Sequence, residues 1–209
     1  MRLLIFGATG GVGRPLTERA LEQGHEVTAV ERDPAKLSLT HPGLLVAQGD
    51  VTDPASVRTV IKGHDMVFCT LGTGGRGPTT LFSTAARNVT RAMDARGVRR
   101  LMFLSNFGVL DERAPDLLWA VMMPFARVWL RHLLRDHRLA LEVIRQYDWE
   151  WMAVRPMIMT DGPSTGRYRI AVEGLPPHGV RISRADVADF MLLQVNSDEY
   201  VHQIPALAY

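Results

Sequence analysis

The first thirteen residues constrain the fold more than any others. An apolar run, Leu3-Leu4-Ile5-Phe6, passes directly into Gly7-Ala8-Thr9-Gly10-Gly11-Val12-Gly13, and a helix-like stretch follows. This reads as a strand feeding a turn whose bare backbone opens a helix. Glycines there make the tight turn, let N–H groups approach a pyrophosphate, or let the helix pack closely on the strand. The unpaired N–H groups and the dipole of the following helix both attract anions.

The rest of the chain supplies the context that such a motif needs. Its spacing, G-x-x-G-x-x-G, is one position from the simplest dinucleotide fingerprint and resembles the pattern of short-chain dehydrogenases, especially their extended and atypical branches. Arg14 to Gln23 reads as helix, Gly24 as its stop and Glu26 to Val30 as a second strand. Strands and helices then alternate: Leu44 to Gln48, a helix from Asp53, Met66 to Leu71, a helix from Thr79 to Arg96, and Leu101 to Ser105. Near-continuous apolar strands of this kind are those of a parallel sheet covered on both faces. A helix from about Asp116 to Tyr147 with a break near Pro124 is expected next, then a strand from Trp151 to Arg155 and irregular structure. Ser183-Arg184-Ala185-Asp186 opens a last helix, with serine as its cap and aspartate favouring the dipole.

At 209 residues, 46% of them hydrophobic, the chain suffices for one well-buried core. The expectation is an α/β Rossmann fold over residues 1–209: a doubly wound parallel sheet of order 3-2-1-4-5-6 with room for a seventh strand. A helical segment at about 109–135 is inserted, and a small substrate-side region follows it. The ligand crevice then lies over the carboxyl ends of the first and fourth strands. A net charge of +2, with basic residues scattered among acids, argues against a nucleic-acid partner. The single cysteine, Cys69, sits in an apolar run and reads as a buried structural thiol. The first strand begins at residue 2 with no charged leader, which implies a cytoplasmic protein. Leu117 to Leu134 is interrupted by Pro124, Arg127, Arg131 and His132, so no membrane span is expected. No metal site is expected either.

The end of the second strand bears on which dinucleotide is held. Glu31 suits a ribose 2′-hydroxyl and hence NAD, whereas Arg32 and Lys36 suit the 2′-phosphate of NADP. A Glu31 carboxylate facing the pocket would repel that phosphate, so the outcome depends on where Glu31 points; strand alternation places adjacent side chains on opposite faces, the two need not compete, and NADP(H) is favoured over NAD(H). Asp50 and Val51 follow the third strand where an adenine ring would rest; Asp50 also reads as an ordinary turn residue.

The segments FGATGGVG, VERDPAKL, GDVTDPASV, LGTGGRGPTT, ARNVTRAMDARGVRRLMFLS, VRPMIMTDGPSTGRYRI and ISRADVADFMLLQVNSDEY together resemble the atypical short-chain dehydrogenases/reductases of the biliverdin reductase B, or flavin reductase, type. The likeness spans nearly the whole chain apart from roughly 109–135. It implies an NADPH-dependent reductase of flavins or tetrapyrrole-like acceptors that holds no flavin of its own. Residue by residue, it assigns Gly7, Thr9, Gly10, Val12 and Gly13 to the pyrophosphate, Arg32 and Lys36 to the 2′-phosphate, and Asp50 and Val51 to adenine. Leu71, Gly72 and Thr73 line the path to the nicotinamide ribose.

The tyrosine and lysine four positions apart that serve most short-chain dehydrogenases as acid and base are missing. Tyr147, Tyr168 and Tyr200 are followed at that distance by Trp151, Val172 and Ile204. The resemblance instead implies two candidate catalytic residues. Ser105 ends the fifth strand and would orient the carboxamide or substrate, unless it merely satisfies local backbone. His137 would bind an anionic group or relay a proton, unless it is simply packed. Ile158 stands where the family pattern has a second pocket histidine, which weakens a biliverdin assignment more than flavin reduction, since a flat acceptor mainly needs stacking and position.

Trp119, Met122, Met123, Phe125, Val128, Trp129 and Leu133 fall at helical spacing, as core residues do. A substrate lid, a homodimer face through 117–134, or a membrane-surface patch beside Arg127, Arg131 and Arg135 fits the same pattern. The resulting expectation is an NADPH-dependent oxidoreductase that reduces a small flavin-, quinone- or tetrapyrrole-like acceptor. Against it stand a dinucleotide-sensing protein like the NmrA-type sensors, and a reductase or isomerase of a specialised metabolite.

Overall fold

The computed structural model describes residues 1–74, 77–110 and 117–209, with the side chains of Leu118 and Met122 also outside the described set. The first half runs β1 (Arg2–Phe6), α1 (Gly13–Glu22), β2 (Glu26–Glu31), β3 (Leu44–Gln48), α2 (Pro54–Val60), β4 (Met66–Cys69), α3 (Leu81–Arg96) and β5 (Arg100–Leu104). The second half runs α4 (Leu117–Trp129), α5 (Arg131–Ile144), β6 (Glu150–Pro156), β7 (Ile158–Thr160), β8 (Arg169–Ala171), β9 (Arg181–Ser183), α6 (Arg184–Leu193) and β10 (Ala206–Ala208).

Alternation along the strands explains why their sequences are apolar throughout. In β1, Leu3 and Ile5 pack with Leu16 and Ala20 of α1 and with Val187 and Met191 of α6. Their neighbours Leu4 and Phe6 pack on the other face with Val57 of α2, Val89 of α3 and Leu141 of α5. Met66, Phe68, Met102 and Leu104 continue the first layer, while Val67, Cys69, Leu101 and Phe103 continue the second. Both faces of each central strand are therefore covered, and the result is a three-layer Rossmann-like α/β domain. Cys69 is among the buried residues, and burial pushes its thiol pKa up, as an inert structural thiol requires.

The sheet has the order β3-β2-β1-β4-β5-β6-β10-β8, which contains the expected 3-2-1-4-5-6 core. β10 fills the place left for a seventh strand, while the antiparallel β8 and the β7–β9 pair were not foreseen. β10 pairs parallel with β6 and β8 antiparallel with β10, and the supposedly irregular stretch after β6 contains β7, which pairs in parallel with β9. The break in the long helix falls at Leu130 and not at Pro124, which lies inside α4. Proline there removes one N–H bond on an exposed side, while buried Trp119 and Met123 anchor the opposite side. Among the described residues, no helix is long and apolar enough to cross a membrane.

Two long-range polar contacts hold the second half in place. Asp136 of α5 accepts the N–H groups of Phe82 at 2.9 Å and Ser83 at 3.2 Å, capping α3 from another helix, since the N-cap residue Thr80 makes no side-chain cap bond. Asp186 is fully buried and accepts from Tyr209 Oη at 2.6 Å, Thr165 N at 2.8 Å, Gly166 N at 2.8 Å and Thr165 Oγ1 at 2.9 Å. Burial alone would raise its pKa, but these hydrogen bonds outweigh burial and hold it at about 2. Its role thus exceeds the dipole partnership expected from its position in the first turn of α6, although Ser183 does cap that helix.

Candidate cofactor crevice and active site

The crevice lies where the chain leaves β1 and β4 in opposite senses, over the carboxyl ends of the sheet. Gly7 adopts φ +87° to start the turn, and the turn closes with Gly10 N–H donating to Gly7 O at 3.0 Å. Gly13 opens α1 so close to that turn that a Cβ would lie 2.0 Å from Gly7 O. Thr70, just past β4, braces the same carbonyls, its Oγ1 donating to Phe6 O at 2.9 Å and Gly7 O at 3.2 Å. Val12 is the N-cap of α1 and offers no side-chain bond; Arg14 N–H is taken by Gly10 O at 2.9 Å and Pro15 has no N–H, so the donors open to an anion are Gly13 N–H and the unpaired ones of the loop before it.

A cavity of about 390 Å³ follows, lined by Gly7, Thr9, Gly10, Arg32, Asp50, Val51, Leu71, Gly72 and Thr73, among others. Nine of the twelve expected cofactor-side residues thus share one cavity. Of the other three, Val12 and Gly13 form the helix start beneath it, and Lys36 lies with Arg32 in an adjoining cavity of about 420 Å³. A backbone cradle that a Cβ would fill, an uncapped helix start and a cleft at the switch point together fit a dinucleotide.

Glu31 faces the crevice. Its carboxylate folds onto the glycine loop, accepting Thr9 N–H at 2.8 Å and Thr9 Oγ1–H at 3.1 Å. Arg32 and Lys36 remain exposed at the mouth, with Lys36 Nζ 3.9 Å from Asp33. Asp50 takes the turn role that its sequence also allowed: Thr52 N and Thr52 Oγ1 donate to Oδ1 at 2.8 and 2.7 Å, and these bonds lower its pKa. Val51 is buried, and Asn88 of α3 donates to its carbonyl at 3.0 Å. Glu31 as a loop latch, Thr70 and Asn88 were missed by sequence reasoning. Glu31 was legible only as a ribose ligand, and the other two act through carbonyls distant in the chain.

The two candidate catalytic residues differ in placement. Ser105 continues β5, and its N–H donates to Val154 O at 2.8 Å. The β4–β5 pairing ends with Cys69 opposite Phe103, two residues before Leu71 of the crevice and two before Ser105, and Ser105 is itself not among the crevice-lining residues. Its buried Oγ has no hydrogen-bond partner among the described residues, so it does not satisfy local backbone. His137 takes the packed placement that its sequence also allowed, its buried Nδ1, like Ser105 Oγ, having no hydrogen-bond partner among the described residues. It is buried between α3 and β5, stacked on Phe82 at 3.7 Å and edge-on to Phe103, and it is not among the crevice-lining residues. Burial pushes its pKa down to about 3, so the imidazole is neutral near neutral pH and poorly suited to relay protons.

A second, apolar cavity of about 910 Å³ is lined by Phe107, Trp119, Pro124, Phe125, Trp129 and Ile158, among others. Trp119 is fully buried, and its Nε1–H donates to Gly179 O at 3.1 Å. The expected apolar segment is thus divided: Trp119 and Met123 are core, whereas Phe125, Val128 and Trp129 are exposed. Leu133 is half-buried, and the Met122 side chain lies outside the described residues.

Comparison with known proteins agrees with this geometry. A 3-beta-hydroxysteroid dehydrogenase from Mycolicibacterium neoaurum is 31% identical over 121 residues, which are 52% of this chain and 33% of that protein. The chain therefore spans about a third of the length of this relative. ChuY, an anaerobillin reductase from Escherichia coli O157:H7, superposes with a TM-score of 0.82 at 25% identity, covering 100% of this chain and 97% of the other. A Burkholderia pseudomallei protein provisionally described as exported gives a TM-score of 0.83 at 25% identity, covering 100% of both chains. The family model for NAD(P)H binding matches residues 7–198, from the first glycine of the cradle to beyond the last helix. The chain belongs to the NAD(P)H-binding family.

Proposed function

We propose that this protein is an NADPH-dependent reductase that delivers hydride to a flat, largely apolar acceptor such as a flavin, quinone or tetrapyrrole. The observation that carries this reading is the buried Ser105 hydroxyl at the end of β5, which has no hydrogen-bond partner among the described residues; Ser105 lines neither cavity itself, but Phe107, two residues on, lines the apolar one. A buried hydroxyl without a partner costs about 1–3 kcal/mol, a cost that a functional site can justify. The named relatives include a reductase and a dehydrogenase, which supports redox chemistry.

In this reading Gly7, Gly10, Val12 and Gly13 hold the pyrophosphate, Thr9, whose two donors are taken by Glu31, shapes the loop beside them, and Val51 and Asp50 hold adenine. Leu71, Gly72 and Thr73 flank the nicotinamide ribose. Arg32 and Lys36 meet a 2′-phosphate in this reading, with the Glu31 carboxylate that shares their cavity held back on Thr9. The nicotinamide, when bound, supplies the hydride. Ser105 donates its Oγ proton in a hydrogen bond to the carboxamide or the acceptor, and so orients one against the other. Apolar walls at Phe107 and Ile158 stack the acceptor and exclude water. His137 serves by packing α5 on α3, and the proton that completes reduction comes from solvent.

The test is NADPH oxidation with FMN, riboflavin and a panel of quinones. Turnover with at least one of them is expected. Tight NADPH binding with none reduced would overturn the reading in favour of a dinucleotide sensor.

A further inference from the structure

The two sides of α4 are unlike each other. Trp119 and Met123 face inward and are buried. Leu117, Val121, Phe125, Val128 and Trp129 are 81%, 57%, 75%, 66% and 58% exposed. The i, i+4, i+8 spacing of Leu117, Val121 and Phe125 sets them on one stripe, beside Val128 and Trp129. A contiguous apolar face of this kind marks an interaction surface.

Charge points to what covers it. From Leu117 to Arg135 the chain has no carboxylate and carries Arg127, Arg131 and Arg135, of which Arg131 and Arg135 are exposed. Asp111, Glu112 and Asp116 precede the helix and lie outside the described residues. Asp136, the next acid, is buried and occupied by the N–H groups of Phe82 and Ser83. The apolar stripe of α4 holds Phe and Trp, and Arg131 and Arg135 follow it in the first turns of α5; exposed apolar surface beside arginines is the composition of a segment that lies in a membrane interface. Arginine stems bury along apolar surface while their guanidinium groups reach anionic headgroups. A two-fold contact between copies would bring the same patch, with its like-charged arginines, against itself.

We propose that the exposed face of α4, with Arg131 and Arg135, docks the protein on the surface of an anionic lipid bilayer. The apolar cavity opens on this face, because Val121, Phe125, Val128 and Trp129 both line it and are exposed. Docking does not rest on the reductase reading, and the experiment needs no turnover.

The full chain is incubated with vesicles of phosphatidylcholine alone or mixed equally with phosphatidylglycerol, then sedimented. Trp129 reports insertion through a blue-shifted emission, because Trp119, Trp149 and Trp151 are already buried. Binding to the mixed vesicles is expected, at least about tenfold weaker on phosphatidylcholine alone and weakened by salt. Leu117→Glu with Phe125→Glu should abolish it, and Arg131→Glu with Arg135→Glu should reduce it at least about tenfold. Thermal midpoint and NADPH binding should stay unchanged in both variants. Failure to bind mixed vesicles overturns the proposal, as does binding that survives both variants. A dimer in light scattering that Leu117→Glu with Phe125→Glu splits also overturns it, by making the face a contact between copies.

Discussion

The cofactor crevice and the apolar cavity beside α4 are built in opposite ways. The crevice is shaped largely by backbone: a positive-φ glycine, a helix start that admits no Cβ, and carbonyls braced by Thr70 and Asn88. The cavity is shaped by the side chains of Phe107, Trp119, Phe125, Trp129 and Ile158, drawn from separate parts of the chain. Backbone geometry tolerates few alternatives, whereas an apolar wall can be repacked with other side chains of similar volume. This contrast explains how one cofactor site can serve many acceptors across a family.

The contrast can be broken most severely at Gly13. Gly13→Val places methyl groups where even a Cβ lies 2.0 Å from Gly7 O, and NADPH affinity should fall at least about a hundredfold. Fluorescence titration with circular dichroism as a fold check measures this, and unchanged affinity would refute a backbone-built site.

Asp186 tests the acceptor side. It lies in the first turn of α6, the helix that Ser183 caps and that follows β9, the partner of β7, which begins at the cavity residue Ile158. Its folded pKa, about 2 against 3.8, gives stabilisation that is complete above pH about 4 and is lost as pH falls through 2, worth about 2 kcal/mol. Asp186→Asn should lower stability at neutral pH by about that amount and flatten the acid limb of the profile in denaturant melts. A parallel profile for the variant would remove Asp186 from the account.

Ser105→Ala tests the buried hydroxyl at the end of β5. Turnover should drop about tenfold to thirtyfold with NADPH affinity unchanged, while thermal stability rises because a buried unpaired hydroxyl is removed. Loss of stability together with activity would reduce Ser105 to a structural residue. The smallest effect is expected from Arg32→Ala, which should weaken NADPH binding about tenfold and leave NADH untouched. Equal loss for both would show that Arg32 does not read the 2′-phosphate.

Much of the fold was legible because its signals are local. The glycine spacing, the strand from Leu44 to Gln48 and the Ser183 cap each depend on residues a few positions apart, and each stands as expected. The expected cofactor residues were brought together for the same reason, since they follow directly on β1 to β4. His137 was read on the likeness of its surroundings, and its stacking on Phe82 depends on how α5 packs on α3. Pro124 suggested a break because proline removes a helical hydrogen bond, but the buried Trp119 and Met123 keep α4 intact past it. The short strands β7 to β10 carry too few residues for periodicity to reveal.

By itself the sequence determined the phosphate cradle, the order of the central strands and the membership of two apolar layers, since turn chemistry and strand alternation are properties of neighbouring residues. Only the tertiary structure decided that Glu31 latches Thr9, that Asp136 caps α3, that the Ser105 hydroxyl is buried unpaired and that one face of α4 stays in water. Those are contacts, or missing contacts, between segments far apart in the chain, and they exist only once packing has excluded water from one side of each element.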